Sequence, residues 1–147
     1  MEGVYCHRSR LLGTSEPENK EQPDDHAVGI LQYKNGVVGT LIASRTSFHE
    51  EDRATVLIGT EGTITTYDRS HEVLLEKRNG EKIFFDFASS HPQGVWELTD
   101  AHQLFFESIL NDTKPIITAE DGTASVKIAA ALEKADRKKR FVLLEEL

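Results

Sequence analysis

The chain has 147 residues and a formal net charge of −8, enough for one domain with a buried core and too little for two ordinary ones. The acidic balance argues against a phosphate-backbone partner, which needs Lys and Arg gathered on one face, so no nucleic acid is expected. No apolar run reaches membrane-spanning length, no charged-then-apolar leader opens the chain, and the single Cys6 excludes an internal disulfide; a reduced, cytoplasmic setting without membrane contact is expected.

Val4 to Arg10 alternates as a strand, with Val4, Cys6 and Arg8 on one side and Tyr5, His7 and Ser9 on the other. Thr14 to Asp25 is polar and acidic, holds Pro17 and Pro23 and lacks an apolar anchor, so residues 13–24 are expected to be a mobile loop. Asp25 to Lys34 is a second strand, closed by Asn35-Gly36. Asn-Gly between apolar runs is a hairpin signal because both residues tolerate positive φ. Val37 to Ala43 returns with apolar residues on both faces, as in a strand covered on both sides. One face should meet helices; the other should meet another part of the protein or another copy.

After the charged stretch His49-Glu50-Glu51-Asp52-Arg53 come two β-rich runs, Ala54 to Ile58 and Thr63 to Tyr67. Gly59-Thr60-Glu61-Gly62 reverses the chain between them. Val73 to Lys77 and Lys82 to Phe87 form a further hairpin, turned at Asn79-Gly80. The expected pattern is a meander of about seven antiparallel strands. Near Trp96 the period changes from two to 3.6, and Leu98, Ala101, Leu104, Phe105, Ile109 and Leu110 give an apolar helix face that ends before Lys114-Pro115. Thr118 and Asp121 open a second helix with a capping-box pattern. Its core face is Ala124, Ile128, Ala131, Leu132 and Ala135, and Arg137 to Arg140 close it with the positive charge the helix dipole favours. Phe141 to Leu144 reads as a last short strand. Strands first and helices last give a single α+β domain over 1–147, a two-layer sandwich with an open, mostly antiparallel sheet and helices on one face.

Motifs of chemistry are sparse. There is no G-x-G-x-x-G, P-loop or nucleophile elbow. Gly59-Thr60-Glu61-Gly62 has the bare spacing of an RNA-clamping loop, but it lies between strands and carries a glutamate, which favours a structural turn. Six histidines are scattered, and no pair is spaced i, i+4 on a helix. His49 beside Glu50 and Glu51 is the densest ligand group, yet neighbours on an extended segment point apart, so no metal is expected. His91 and Trp96 mark a loop entering a helix, a corner able to bind or simply to pack the helix start. Cys6 has no basic partner that would activate it.

Taken together, Asp25-His26-Ala27, Leu31 to Leu41 around Asn35-Gly36, Ile58 to Ile64, Phe105-Phe106-Glu107-Ser108-Ile109, Lys114-Pro115, Thr118 to Gly122 and Val142-Leu143-Leu144 resemble the C-terminal domain of the glucose–fructose oxidoreductase / inositol dehydrogenase / MocA (Gfo/Idh/MocA) family. The resemblance runs from about Val4 to Leu144. It implies an NAD- or NADP-dependent sugar or polyol oxidoreductase whose cofactor site and Glu-Lys-Pro motif lie in a separate Rossmann domain, and whose Asp/His pair precedes the C-terminal domain. Thr113-Lys114-Pro115, Asp68/His71 and Asp86/His91 stand in the wrong context for those motifs. No catalytic or cofactor residue is therefore carried over, and the chain alone is expected to bind no cofactor. The resemblance also implies that the segment before the Gly-x-x-Gly turn borders the substrate cleft. That makes His49, Glu51 and Arg53 substrate-side candidates, here without the family's tyrosine; His91 and Trp96 are added from the helix-entry corner. A homo-oligomer paired through the open sheet face is implied as well. The competing reading is a stand-alone binding or assembly module that shares the fold and lacks the enzyme.

Overall fold

The structure is a computed structural model that describes residues 1–10, 24–46, 54–67, 72–86 and 96–147; the side chains of 96–100 are not among the described ones. The elements in chain order are β1 (Gly3–Ser9), β2 (His26–Gln32), β3 (Val38–Ser44), β4 (Ala54–Ile58), β5 (Gly62–Tyr67), β6 (Glu72–Lys77), β7 (Lys82–Asp86), α1 (Trp96–Leu110), α2 (Ala119–Lys138) and β8 (Val142–Leu143), closed by a 3-10 turn at Leu144–Glu146. The class is α+β. Among the described residues the strands do not pair as one seven-stranded meander but as two antiparallel four-stranded sheets, ordered β3-β2-β1-β8 and β4-β5-β6-β7. Residues 45–53 between β3 and β4 exceed the two to five or so residues of a hairpin loop, so sequence neighbours need not pair there. The chain falls into two compact units, Met1–Ser47 with Ile117–Leu147, and Phe48–Ile116.

In the first unit, Val4, Cys6 and Val142 are buried against Ala131 and Ala135 of α2, with Ala27, Leu31 and Leu132 packed around them. Alanines on α2 let its backbone lie close to the sheet. Ala124, expected on this face, is exposed. A 20-residue helix is about 30 Å long, whereas the seven-residue β1 beneath it spans about 23 Å. The core contacts therefore gather on the C-terminal half of α2. Its start is the expected capping box: Thr118 Oγ1 accepts from the Asp121 amide, and the Asp121 carboxylate accepts from the Thr118 amide at 2.9 Å. Most of the expected 13–24 loop lies outside the described residues.

The opposite sheet face of this unit is apolar and uncovered among the described residues. Val28, Ile30 and Tyr5 are partly exposed, and Val38 and Ile42 on edge strand β3 are 64% and 76% exposed. The register sets these residues in rows: Gly3–Gln32–Val38, Tyr5–Ile30–Thr40, His7–Val28–Ile42 and Ser9–His26–Ser44.

In the second unit, two successive registers place apolar residues on both faces. Leu57, Ile64, Leu75 and Ile83 share one row, and Val56, Thr65, Leu74 and Phe84 share the next, on the other face. Both expected hairpins form, each through a three-residue loop in which the glycine and not the asparagine takes positive φ. Gly36 and Gly80 take φ of 86° and 87°, and the preceding Asn side chain accepts from the amide two residues on in each case. The apolar side chains Leu104, Phe105, Ile109 and Leu110 of α1 are exposed, so this helix face is uncovered among the described residues.

Candidate functional site

Three groups of side chains stand out. The first surrounds the Gly59–Gly62 turn in the second unit. Leu57, Ile64 and Leu75 floor a shallow concavity of about 870 Å³, with Lys77 and Arg78 on its rim. Backbone bonds hold the turn: the Gly59 amide donates to the Gly62 carbonyl, and the Arg78 amide to the Glu61 carbonyl. Gly62 sits close against β6. A Cβ there would lie 2.3 Å from the Glu76 carbonyl oxygen, while one on Gly59 would meet only the Gly62 carbonyl at 3.5 Å. The turn therefore serves strand packing, in keeping with its reading as structural.

The second group ties the end of α2 to β1. The buried Asp136 carboxylate accepts from the Arg8 amide at 2.9 Å and from Lys139 Nζ at 2.7 Å, with Arg8 Nε at 3.4 Å. The Lys139 hydrogen bond first, then the Arg8 amide, holds the Asp136 carboxyl down at about 2. Lys139 is in position for this because it caps α2 in the left-handed conformation, with φ 51°. Cys6 lies in the same core, 1% exposed, and burial first, then the Asp136 charge, pushes its thiol up. A thiol so placed is a packing group, not a nucleophile. The native chain is expected to resist a thiol-labelling reagent and to take up one equivalent once unfolded in guanidinium. Rapid labelling of the folded chain would contradict that assignment.

The third group is at the far end of the open face of the first unit. His26 Nε2 makes a short contact with Thr46 Oγ1 and lies 3.5 Å from Ser44 Oγ. The two hydroxyl oxygens are 3.0 Å apart. The sequence came within one residue of this trio: counting outward from a two-residue Asn35-Gly36 turn places His26 opposite Arg45, whereas the observed three-residue loop, closed by the Tyr33 amide on the Val37 carbonyl, places it opposite Ser44.

Of the residues singled out from the sequence, His49, Glu51, Arg53 and His91 lie outside the described residues. Trp96 opens α1, and its side chain lies outside them too. Among the described residues, no three His, Cys, Asp or Glu side chains gather to hold a metal ion. No described helix is long and apolar enough to cross a membrane.

The family described as "Oxidoreductase family, C-terminal alpha/beta domain" (Gfo/Idh/MocA) matches residues 4–144. The chain belongs to this family. It is 26% identical over 152 residues to the myo-inositol 2-dehydrogenase of Thermotoga maritima, covering all of this chain and 44% of that protein. It is 32% identical over 111 residues to the scyllo-inositol 2-dehydrogenase (NAD(+)) of Bacillus subtilis, covering 73% of this chain and 31% of that one. Among solved structures, a levoglucosan dehydrogenase in complex with NADH and L-sorbose superposes with TM-score 0.79 at 19% identity, over 97% of this chain and 44% of that one. An oxidoreductase from Agrobacterium radiobacter in complex with NAD+, L-tartaric acid and magnesium gives 0.76 at 16% identity, over 99% and 44%. The chain thus spans less than half the length of the relatives it matches, and corresponds to the C-terminal domain of this Gfo/Idh/MocA family.

The described residues do not form a Rossmann dinucleotide cradle. A Rossmann cradle needs parallel strands joined through a helix, with a glycine-rich turn at the helix N-terminus. Every strand pair here is antiparallel, and the Gly59–Gly62 turn joins strand to strand. No step involving the cofactor is therefore assigned to these residues.

Proposed function

We propose that this chain is the substrate-side and oligomerisation domain of an NAD(P)-dependent sugar or polyol oxidoreductase in the cytoplasm, with hydride transfer relying on a separate Rossmann domain. The observation that carries this reading is the full-length match of the chain to less than half of an inositol dehydrogenase. The names of the relatives support cyclic polyols and sugars as the substrate class. The open apolar face of the first unit, with Val38 and Ile42 largely exposed, supports pairing with a second copy, because surface of that kind gains from being covered. His49, Glu51, Arg53, His91 and Trp96 remain the proposed substrate-side residues.

Two measurements test the reading. Size-exclusion chromatography with light scattering, at roughly tens of micromolar, is expected to give a dimer or larger species; a strict monomer overturns the oligomerisation role. Titration with NADH or NADPH is expected to show no saturable binding by this chain, and specific binding overturns the division of labour.

A further inference from the structure

We infer that residues 141–147 form a strap that closes the outer edge of β1, with Glu146 as its latch, and that this edge, once unlatched, pairs with β1 of a second copy. β2 occupies one edge of β1 along its whole length. Successive residues of a strand present their backbone groups to opposite edges, so Glu2, Val4, Cys6 and Arg8 share the outer one. Two devices cover it. At one end the Leu144 amide donates to the Glu2 carbonyl at 3.0 Å, and Val142 stands opposite Val4. At the other end the Arg8 amide donates to the Asp136 carboxylate.

The first cover has little ladder of its own. β8 is two residues long, and a chain end of that kind stays ordered only when it is tied down. The ties converge on Glu146. Arg140 grips its carboxylate with both arms of the guanidinium, Nη1 on Oε1 at 3.0 Å and Nη2 on Oε2 at 2.6 Å. The Leu143 amide donates to Oε1 at 3.0 Å, and Lys134 Nζ donates to the Glu146 carbonyl. Arg140 Nη1 also donates to the Phe141 carbonyl at 2.7 Å, which holds the start of the strap. The Arg140 hydrogen bond first, then the Leu143 amide, holds the Glu146 carboxyl down at about 2, so the latch is charged at neutral pH. The strap is also fitted to its seat. The Phe141 ring lies over Gly3, where a Cβ would come within 2.5 Å of it.

An uncovered strand edge is a template for another strand. A second copy is the matching occupant, because antiparallel pairing of one strand with itself is self-complementary and satisfies both edges at once. This edge is distinct from the open sheet face, so the association it would support is separate from the face-to-face pairing proposed above.

The test compares the 147-residue chain with Glu146→Gln and Arg140→Gln, which unlatch the strap from its two sides. Lys138→Gln is the control. It removes a positive charge from the same helix end, and Lys138 makes none of these bonds. Amide hydrogen exchange at Leu144 is expected to speed up about 3- to 10-fold in both unlatched variants, as loss of a charge-assisted contact in partial solvent implies. The Arg8 amide, held by Asp136, should keep its rate, which separates unlatching from unfolding. Light scattering over a concentration series is expected to give a larger mass for both variants than for the unmodified chain and the control. If one variant fails to fold, the other decides. Unchanged exchange at Leu144 overturns the latch. Faster exchange with no gain in mass overturns the guarded edge. The mass of the unmodified chain reports on the open face, so the two associations can fail separately.

Discussion

Gly62→Ala is expected to destabilise the second unit by about 3 kcal/mol, because a new Cβ would have to push backbone aside on the neighbouring strand. That Cβ would meet the Glu76 carbonyl oxygen at 2.3 Å and the Lys77 Cα at 3.1 Å. Neither can swing away as a flexible side-chain tip could. The Gly62–Lys77 and Thr63–Glu76 pairs of β5 and β6 would separate first. Gly59→Ala is the control. Its Cβ meets only ordinary van der Waals contact at 3.5 Å, so it should cost under about 1 kcal/mol, and reduced freedom of the unfolded chain offsets part of that. Amide hydrogen exchange separates the two. In Gly62→Ala, protection should drop across β5 and β6 while the amides of Val4 and Cys6 in the first unit keep theirs. Equal protection in the two variants would show that the close approach at Gly62 is not needed.

Acid is expected to weaken the first unit through Asp136. Its carboxyl titrates at about 2 in the folded chain, against an ordinary value of 3.8. A carboxyl lowered by folding favours the folded state while it is charged. Its contribution is complete above 3.8, fades as pH falls through the window from 3.8 to about 2, and is gone below it. At 1.36 kcal/mol per pH unit, that gap is worth about 2 kcal/mol. Asp136→Asn should therefore lose about 2 kcal/mol at pH 6, since the amide no longer offers a charged acceptor to Lys139 and the Arg8 amide. At a pH below 2 the variant and the parent should converge. Stability can be followed by urea unfolding read by far-ultraviolet circular dichroism at each pH. Parallel pH curves for parent and variant would rule out Asp136 as the source of the acid sensitivity.

The two predictions draw on different kinds of information. That Gly59 and Gly62 make a reversal between strands was legible locally, from β-branched runs on either side. That only Gly62 is intolerant of a Cβ was not, because the obstacle is a carbonyl on β6, fourteen residues away. Asp136 and Arg8 are 128 residues apart, and no spacing rule connects a helix end to the first strand across that distance. The His26–Ser44 pairing was in between: Asn35-Gly36 announces the hairpin, but the three-residue loop that sets this register, and the bend after β3 that adds Thr46, show only in the structure. Of the substrate-side candidates, His49, Glu51 and Arg53 came from the family resemblance and His91 and Trp96 from the helix-entry corner, and four of the five fall outside the described residues.

By itself the sequence determined what repeats at short range. Alternation marked the strands, the 3.6-residue period marked α1 and α2, the two Asn-Gly pairs set their hairpins, and Thr118 with Asp121 set the α2 cap. Each of these is decided by dihedral preference and by hydrogen bonds between residues a few positions apart. Tertiary structure alone decided that the strands divide into two sheets, that β8 returns to pair with β1, and that the α2 core contacts gather on the C-terminal half of the helix. It also decided which charged group of the α2 C-terminus is buried. These outcomes depend on which apolar faces can cover one another at once, and on contacts between residues far apart in the chain, for which local periodicity carries no signal.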